Sequence, residues 1–172
     1  MTISDPENPS LLYARLMAES AAVIEALPPA PLAERFYSAI DDMFTRCADH
    51  RAVLGEVFGG ALRPGSGSVP DGATAALLKS AFSQMVERAA DAPKGEQAAQ
   101  FATLVYGMHL ALMLFWLYDR MPEQAAAREL LKFLREVISM MRTASILPPV
   151  SRSIARLAAI FEAVFGGVNG AP

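Results

Sequence analysis

The chain has 172 residues, 53% of them hydrophobic and only 8% aromatic, enough apolar material for one domain with a sizeable core. A net charge of -3 offers phosphate no bulk attraction, which argues against an independent nucleic-acid binder, and a lone Cys47 excludes an intrachain disulfide. Glycine and proline gather in short connectors while Ala, Leu, Met, Glu and Arg fill the stretches between them, the make-up of an all-α chain.

The opening MTISDPENPS has neither a basic nor an apolar segment, so no secretory leader is expected and the cytoplasm is the expected compartment. Residues 1–9 read as extended or disordered. Asn8 followed by Pro9 predicts a helix start, and Leu12, Leu16, Val23 and Leu27 recur on one face until Pro28 and Pro29 end it. From Pro31, Leu32, Phe36, Ala39, Ile40, Met43 and Cys47 follow helical spacing, with Glu34, Arg35, Asp41 and Asp42 off that face. A third, shorter helix carries Val53, Leu54, Val57, Phe58 and Leu62, loosened by Gly55, Gly59 and Gly60. Arg63 to Gly72, RPGSGSVPDG, reads as a loop and the expected mobile connector. The fourth helix turns Leu77, Leu78, Ala81, Phe82, Met85 and Val86 inward and ends near Asp91 to Pro93.

Ala98 to Tyr118, AAQFATLVYGMHLALMLFWLY, then runs without one Asp, Glu, Lys or Arg, and as a helix it is ~30 Å long. So much apolar helix must be buried in a helical domain, against a second subunit or in a bilayer. Gln97, Gln100 and His109, the lack of flanking Lys or Arg clusters, and amphipathic helices on both sides argue against the bilayer. Within the run, Ala102, Tyr106, His109 and Met113 share one side, opposite Leu104, Val105, Met108, Leu112 and Phe115.

A sixth helix is predicted from Pro122, with Leu130, Leu131, Leu134, Val137, Ile138 and Met141 inward and Glu129, Lys132 and Glu136 outward, Lys132 and Glu136 spaced to pair. Ala126, Phe133, Val137 and Met140 form a second apolar line beside the first, more apolar circumference than one neighbour requires. A seventh helix follows Pro148 and Pro149, with Val150, Ile154, Leu157, Phe161 and Val164 on one face, ending at Gly166 and Gly167. The expected architecture is a single helical-bundle domain of about seven helices over 10–166, with a flexible tail over 167–172.

Chemistry-bearing constellations are sparse. Cys47 and His50 stand three apart and His109 could add a third ligand, but this is too few for a metal site, and Cys47 lies on an apolar stripe. The GSGS of 65–68 lacks the lysine and the preceding strand of a phosphate cradle. No cofactor is expected, and no enzymatic activity. Tyr106 and His109, with Thr103 and Gln100 nearby, are polar handles on an apolar wall. They fit a small-molecule pocket, and equally hydrogen bonding inside the core or across a dimer contact.

Tyr106 to Leu134, YGMHLALMLFWLYDRMPEQAAARELLKFL, resembles the C-terminal regulatory part of TetR-family transcription regulators. FWLYDR at Phe115 to Arg120, then a proline, a Glu-Gln pair and an amphipathic helix, looks like the junction between two C-terminal helices of one subgroup. The earlier SLLYARLMAES, ALPPAPLAERFYSAIDDMF and HRAVLGEVFGGAL are similar to the first helices of that domain, so the likeness runs from about Ser10 to Phe165. Family members begin with a helix-turn-helix module that reads the major groove, and this sequence has no counterpart of it.

The resemblance implies a homodimer through the last long helices and a small apolar effector in each regulatory domain, whose binding shifts the linking helix. DNA would be reached only through the module absent from this sequence, and no membrane is implied. On that basis Phe58, Phe82, Tyr106, His109 and Met113 are the expected ligand-binding residues, and Trp116, Phe133, Val137 and Met140 the expected dimer interface. The alternative is a helical interaction protein that pairs with itself or a full-length relative without a ligand.

Overall fold

The computed structural model describes residues 8–61 and 72–165. Its α-helices are α1 (Pro9–Ala26), α2 (Leu32–Cys47), α3 (Arg51–Ala61), α4 (Gly72–Glu87), α5 (Glu96–Tyr118), α6 (Ala125–Ala144) and α7 (Pro148–Phe165). Single 3-10 turns, Ala48–His50 and Pro122–Gln124, lead into α3 and α6, and the described residues contain no strand. The expectations for 1–7, for Leu62 and the loop up to residue 71, for the Val164 side chain and for 166–172 lie outside the described residues.

Local chemistry sets the helix ends. Asn8 caps α1, its side-chain oxygen accepting from the Ser10 amide at 2.9 Å, and α1 stops at Ala26 before Pro28 and Pro29. Asp91, after α4, accepts from the Leu32 amide at 2.7 Å and so caps α2 from a distant part of the chain. Asp119 does the same for α6, accepting from Met121 N at 2.9 Å and Ala127 N at 2.8 Å. These bonds, Met121 first, hold its carboxyl below the ordinary carboxylate range. The chain enters α6 through left-handed backbone at Glu123 and Gln124, the turn that lets Asp119 reach over.

Arg35 corrects the expected outer face of α2. It is buried, donating from Nε to the Met85 carbonyl at 3.2 Å and from one terminal nitrogen to the carbonyls of Leu27 and Pro28 at 2.8 and 2.6 Å. Its guanidinium collects carbonyls that the end of α1 leaves without helical partners. Arg51 does likewise at the end of α5, donating to the carbonyls of Leu117 and Asp119. On α6 the expected Lys132–Glu136 pair is replaced by Lys132–Glu129, 2.6 Å apart on the exposed face.

α5 is the axis of the bundle, packed against α4 and α7 and touching α2, α3 and α6, while α1 lies on α4 and α2 on α6. By length and composition α5 could cross a membrane, yet 61% of its most apolar window is buried inside the chain. On one side Phe101 turns to α6, where the Arg142 guanidinium lies 5.2 Å from its ring. On another, Gly107 turns to α7, and the Phe161 ring occupies the space a Cβ would need. Glycine is therefore what lets α7 close on α5 at that point.

Candidate functional site

Two parts of α5 stand out. The first is its inner side. Phe82 of α4 and Tyr106 and His109 of α5 form a ring cluster, with centroids 5.0 Å apart for Phe82–His109, 6.0 Å for Tyr106–His109 and 6.1 Å for Phe82–Tyr106. Met113, one turn beyond His109, is fully buried. Four of the five expected ligand residues thus lie on these two helices. Phe58 is buried on α3 and makes its ring contact with Tyr13 of α1, 5.6 Å away, rather than with this cluster.

His109 is 1% exposed, and neither ring nitrogen has a hydrogen-bond partner among the described residues. Burial pushes its pKa down to about 3, and the Tyr106 carbonyl three residues back offsets this only in part, without forming a hydrogen bond of good geometry. The imidazole is therefore neutral near pH 7, with one N–H to give and one lone pair to receive. Leaving such groups unmatched costs about 1–3 kcal/mol, so a core histidine normally has partners.

Tyr106, though buried, also reaches a hollow at the surface. It lines a cavity of about 230 Å³ between α4, α5 and α7, shared with Lys79, Ser83, Ala99, Ala102, Thr103 and Glu162. The Lys79 ammonium stands 5.7 Å from the Tyr106 ring centroid. Burial, and secondarily the Glu162 carboxylate, push the Tyr106 phenol up to about 12, so it remains a neutral hydroxyl. Lys79, Ser83 and Glu162 carry no special signal in the sequence, because polar residues on amphipathic helices look like ordinary solvated faces. The alternating small residues Ala99 and Ala102 are the trace that could have marked a hollow.

The second part is the outer arc at the C-terminal end of α5. At about 100° per residue, Ala111, Phe115 and Tyr118 fall between the direction of Phe101 towards α6 and that of Gly107 towards α7. Phe115 and Tyr118 are exposed, and with Leu114 they line an open hollow of about 560 Å³. The flanking helices expose further large apolar side chains, Phe133 (56%) and Met140 (62%) on α6 and Leu157 and Ile160 on α7. Val137 is half-buried beside them.

Trp116 stands apart from the other expected interface residues. It is 1% exposed, stacked on Phe44 at 5.4 Å with the rings 10° from parallel, and covered by the Arg51 guanidinium 5.7 Å from its ring. Its side chain belongs to the core of the chain and presents almost no surface. Phe115 and Tyr118, on another arc of the same helix, are exposed.

Cys47 is buried, and burial raises its thiol to about 12, so it is not a nucleophile at neutral pH. Among the described residues no three His, Cys, Asp or Glu side chains converge as metal ligands. No protein-family model matches the chain, and no curated protein matches its sequence.

Proposed function

We propose that this helical domain is the effector-binding and dimerisation unit of a TetR-like transcription regulator, working in the cytoplasm as a homodimer. Reading DNA would fall to a separate helix-turn-helix module, and the seven helices described here would supply sensing and pairing. The reading rests on the sequence resemblance and on one structural observation, the buried imidazole of His109 with both nitrogens unmatched among the described residues. A group in that state is at lower free energy once a bound molecule supplies an acceptor or a donor. The exposed apolar residues of α5, α6 and α7 support the pairing half, because a second copy of the same face would cover them symmetrically.

A ligand screen followed by thermal denaturation tests this. An effector at a hundred times its dissociation constant adds about 2.7 kcal/mol to stability, a rise in melting temperature of several degrees. The expected result is a dimer by sedimentation at micromolar concentration, with a subset of small, largely apolar compounds raising the melting temperature. A second reading, a helical interaction protein that pairs without a ligand, draws on the size of the inner cavity. At about 230 Å³ it is smaller than the ~300 Å³ at which drug-sized ligands begin to fit. A dimer whose melting curve no compound moves would favour it.

A further inference from the structure

We infer that the ligand of this domain is a small uncharged aromatic carrying an O–H or N–H group, of phenol or indole size. It enters the cavity between α4, α5 and α7 and displaces the Tyr106 ring to hydrogen-bond with His109. This rests on the effector-binding reading above and specifies its chemistry.

Four observations converge on that class. The cavity of about 230 Å³ exceeds the ~150 Å³ known to hold benzene and falls short of drug-sized sites, which sets the ligand at one or two fused rings. Among the described residues its rim carries one cation, Lys79, and one anion, Glu162, so a ligand of either sign meets a like charge as well as an opposite one and a neutral ligand meets neither penalty. Behind the cavity stand three ring systems, Tyr106, Phe82 and His109, with centroids 5.0–6.1 Å apart, a spacing suited to edge and offset contacts with a planar guest. Beyond Tyr106, His109 presents an N–H and a lone pair that nothing in the described chain engages.

Tyr106 touches both spaces, the cavity on one side and the imidazole on the other. A rotation of its ring joins them. The Ser83 and Thr103 hydroxyls at the cavity wall can receive the phenol once it has turned outward, and the Lys79 ammonium follows the ring face it already covers. The apolar part of the guest then packs on Phe82, with its hydroxyl or ring N–H against the imidazole.

The probes are phenol, indole, toluene, benzoate and benzylamine, added to the whole chain and followed by calorimetry and by the nitrogen resonances of His109. Phenol and indole should bind and move the His109 resonances. Toluene, lacking the polar group, should bind about tenfold more weakly, the equivalent of one neutral hydrogen bond. Benzoate and benzylamine should be weaker than phenol. His109→Leu should erase the preference for phenol over toluene, and Ala102→Leu, which fills the cavity from α5, should abolish phenol binding. The resonances of the unaltered chain provide the readout should either variant fail to fold. The inference is overturned if the His109 resonances stay fixed at saturating phenol, or if the phenol preference survives His109→Leu. It is overturned alone, with the effector reading intact, if these aromatics fail while other compounds raise the melting temperature. A chemically diverse library with no stabilising member would remove both.

Discussion

The inner and outer sides of α5 are unsatisfied in opposite senses. Inside, His109 has no hydrogen-bond partner among the described residues, and outside, Phe115 and Tyr118 are exposed aromatic side chains. The first condition is relieved by a small molecule bearing a hydrogen-bonding group, the second by a broad apolar surface. On the proposed reading one helix would serve two partners of different chemistry, and around its circumference Tyr106 and Gly107, which adjoin α4 and α7, lie between the two regions.

The largest effect is expected from breaking the outer side. Phe133→Glu together with Met140→Glu puts four carboxylates into a symmetric contact, each costing several kcal/mol if buried without a partner. Sedimentation at micromolar concentration should show monomer in place of dimer, with helicity unchanged because both side chains are exposed in the single chain. A variant that remains a dimer would move the contact away from this face.

Trp116→Ala makes the opposite kind of break, one residue from Phe115 in sequence and on the other arc of the helix. Removing a side chain stacked between Phe44 and Arg51 should cost about 3–5 kcal/mol of folding stability. Urea denaturation monitored by circular dichroism reads this directly. The loss in the folding of the chain should be independent of protein concentration, whereas an interface role for Trp116 would make it concentration-dependent.

Local signals in the sequence located the helices well, because prolines and caps act within a few residues of where they sit. Asn8 with Pro9, Pro28 with Pro29, and Pro148 are found at or beside the ends they imply. Facing was legible on α2, where Leu32, Phe36, Ile40 and Met43 are all buried, since a polar face marks the other side. It was not legible on α5, where apolar residues surround the helix and periodicity carries no contrast. Which arc is exposed there depends on where α6 and α7 pack, so Trp116, expected at the surface, is buried, while Phe115, given no role, is exposed. Arg35 was misplaced for a related reason, because the Met85 carbonyl it reaches is fifty residues away and no local pattern announces it. His109 was legible as a candidate for its rarity in an uncharged run, while the absence of partners for it is a property of packing alone.

Acid should weaken the fold through His109 on the inner side of α5. The folded chain holds His109 near 3, against 6.5 for an ordinary histidine, so between those values the unfolded chain binds a proton that the folded chain does not. The stabilisation is fully present above pH 6.5 and falls as pH drops through that window, by about 1.4 kcal/mol per unit or about 2 kcal/mol between pH 6.5 and 5. Urea midpoints at the two pH values, compared with those of His109→Leu, isolate this slope, since carboxylates contribute equally to both chains. Parallel pH dependence in the two would show that His109 is protonated or partnered in the folded chain.

At pH 7 the same His109→Leu substitution should raise the stability of the ligand-free chain by on the order of 1 kcal/mol, the smallest of these effects and the most telling in sign. Most core substitutions destabilise, and a gain from deleting a native side chain singles out a position kept for something other than folding. Leucine fills much the same volume, adds apolar contact with Phe82 and Met113, and leaves no donor or acceptor unmatched. The matching experiment outside, Phe133→Ser, removes an exposed apolar side chain and should leave single-chain stability nearly unchanged while weakening association. A gain within and near-neutrality without, each coupled to loss of a different partner, is what the opposed demands of the two sides of α5 require. A loss of stability in His109→Leu would mean the imidazole already has its partner in the fold, and the inner side of α5 would then be ordinary core.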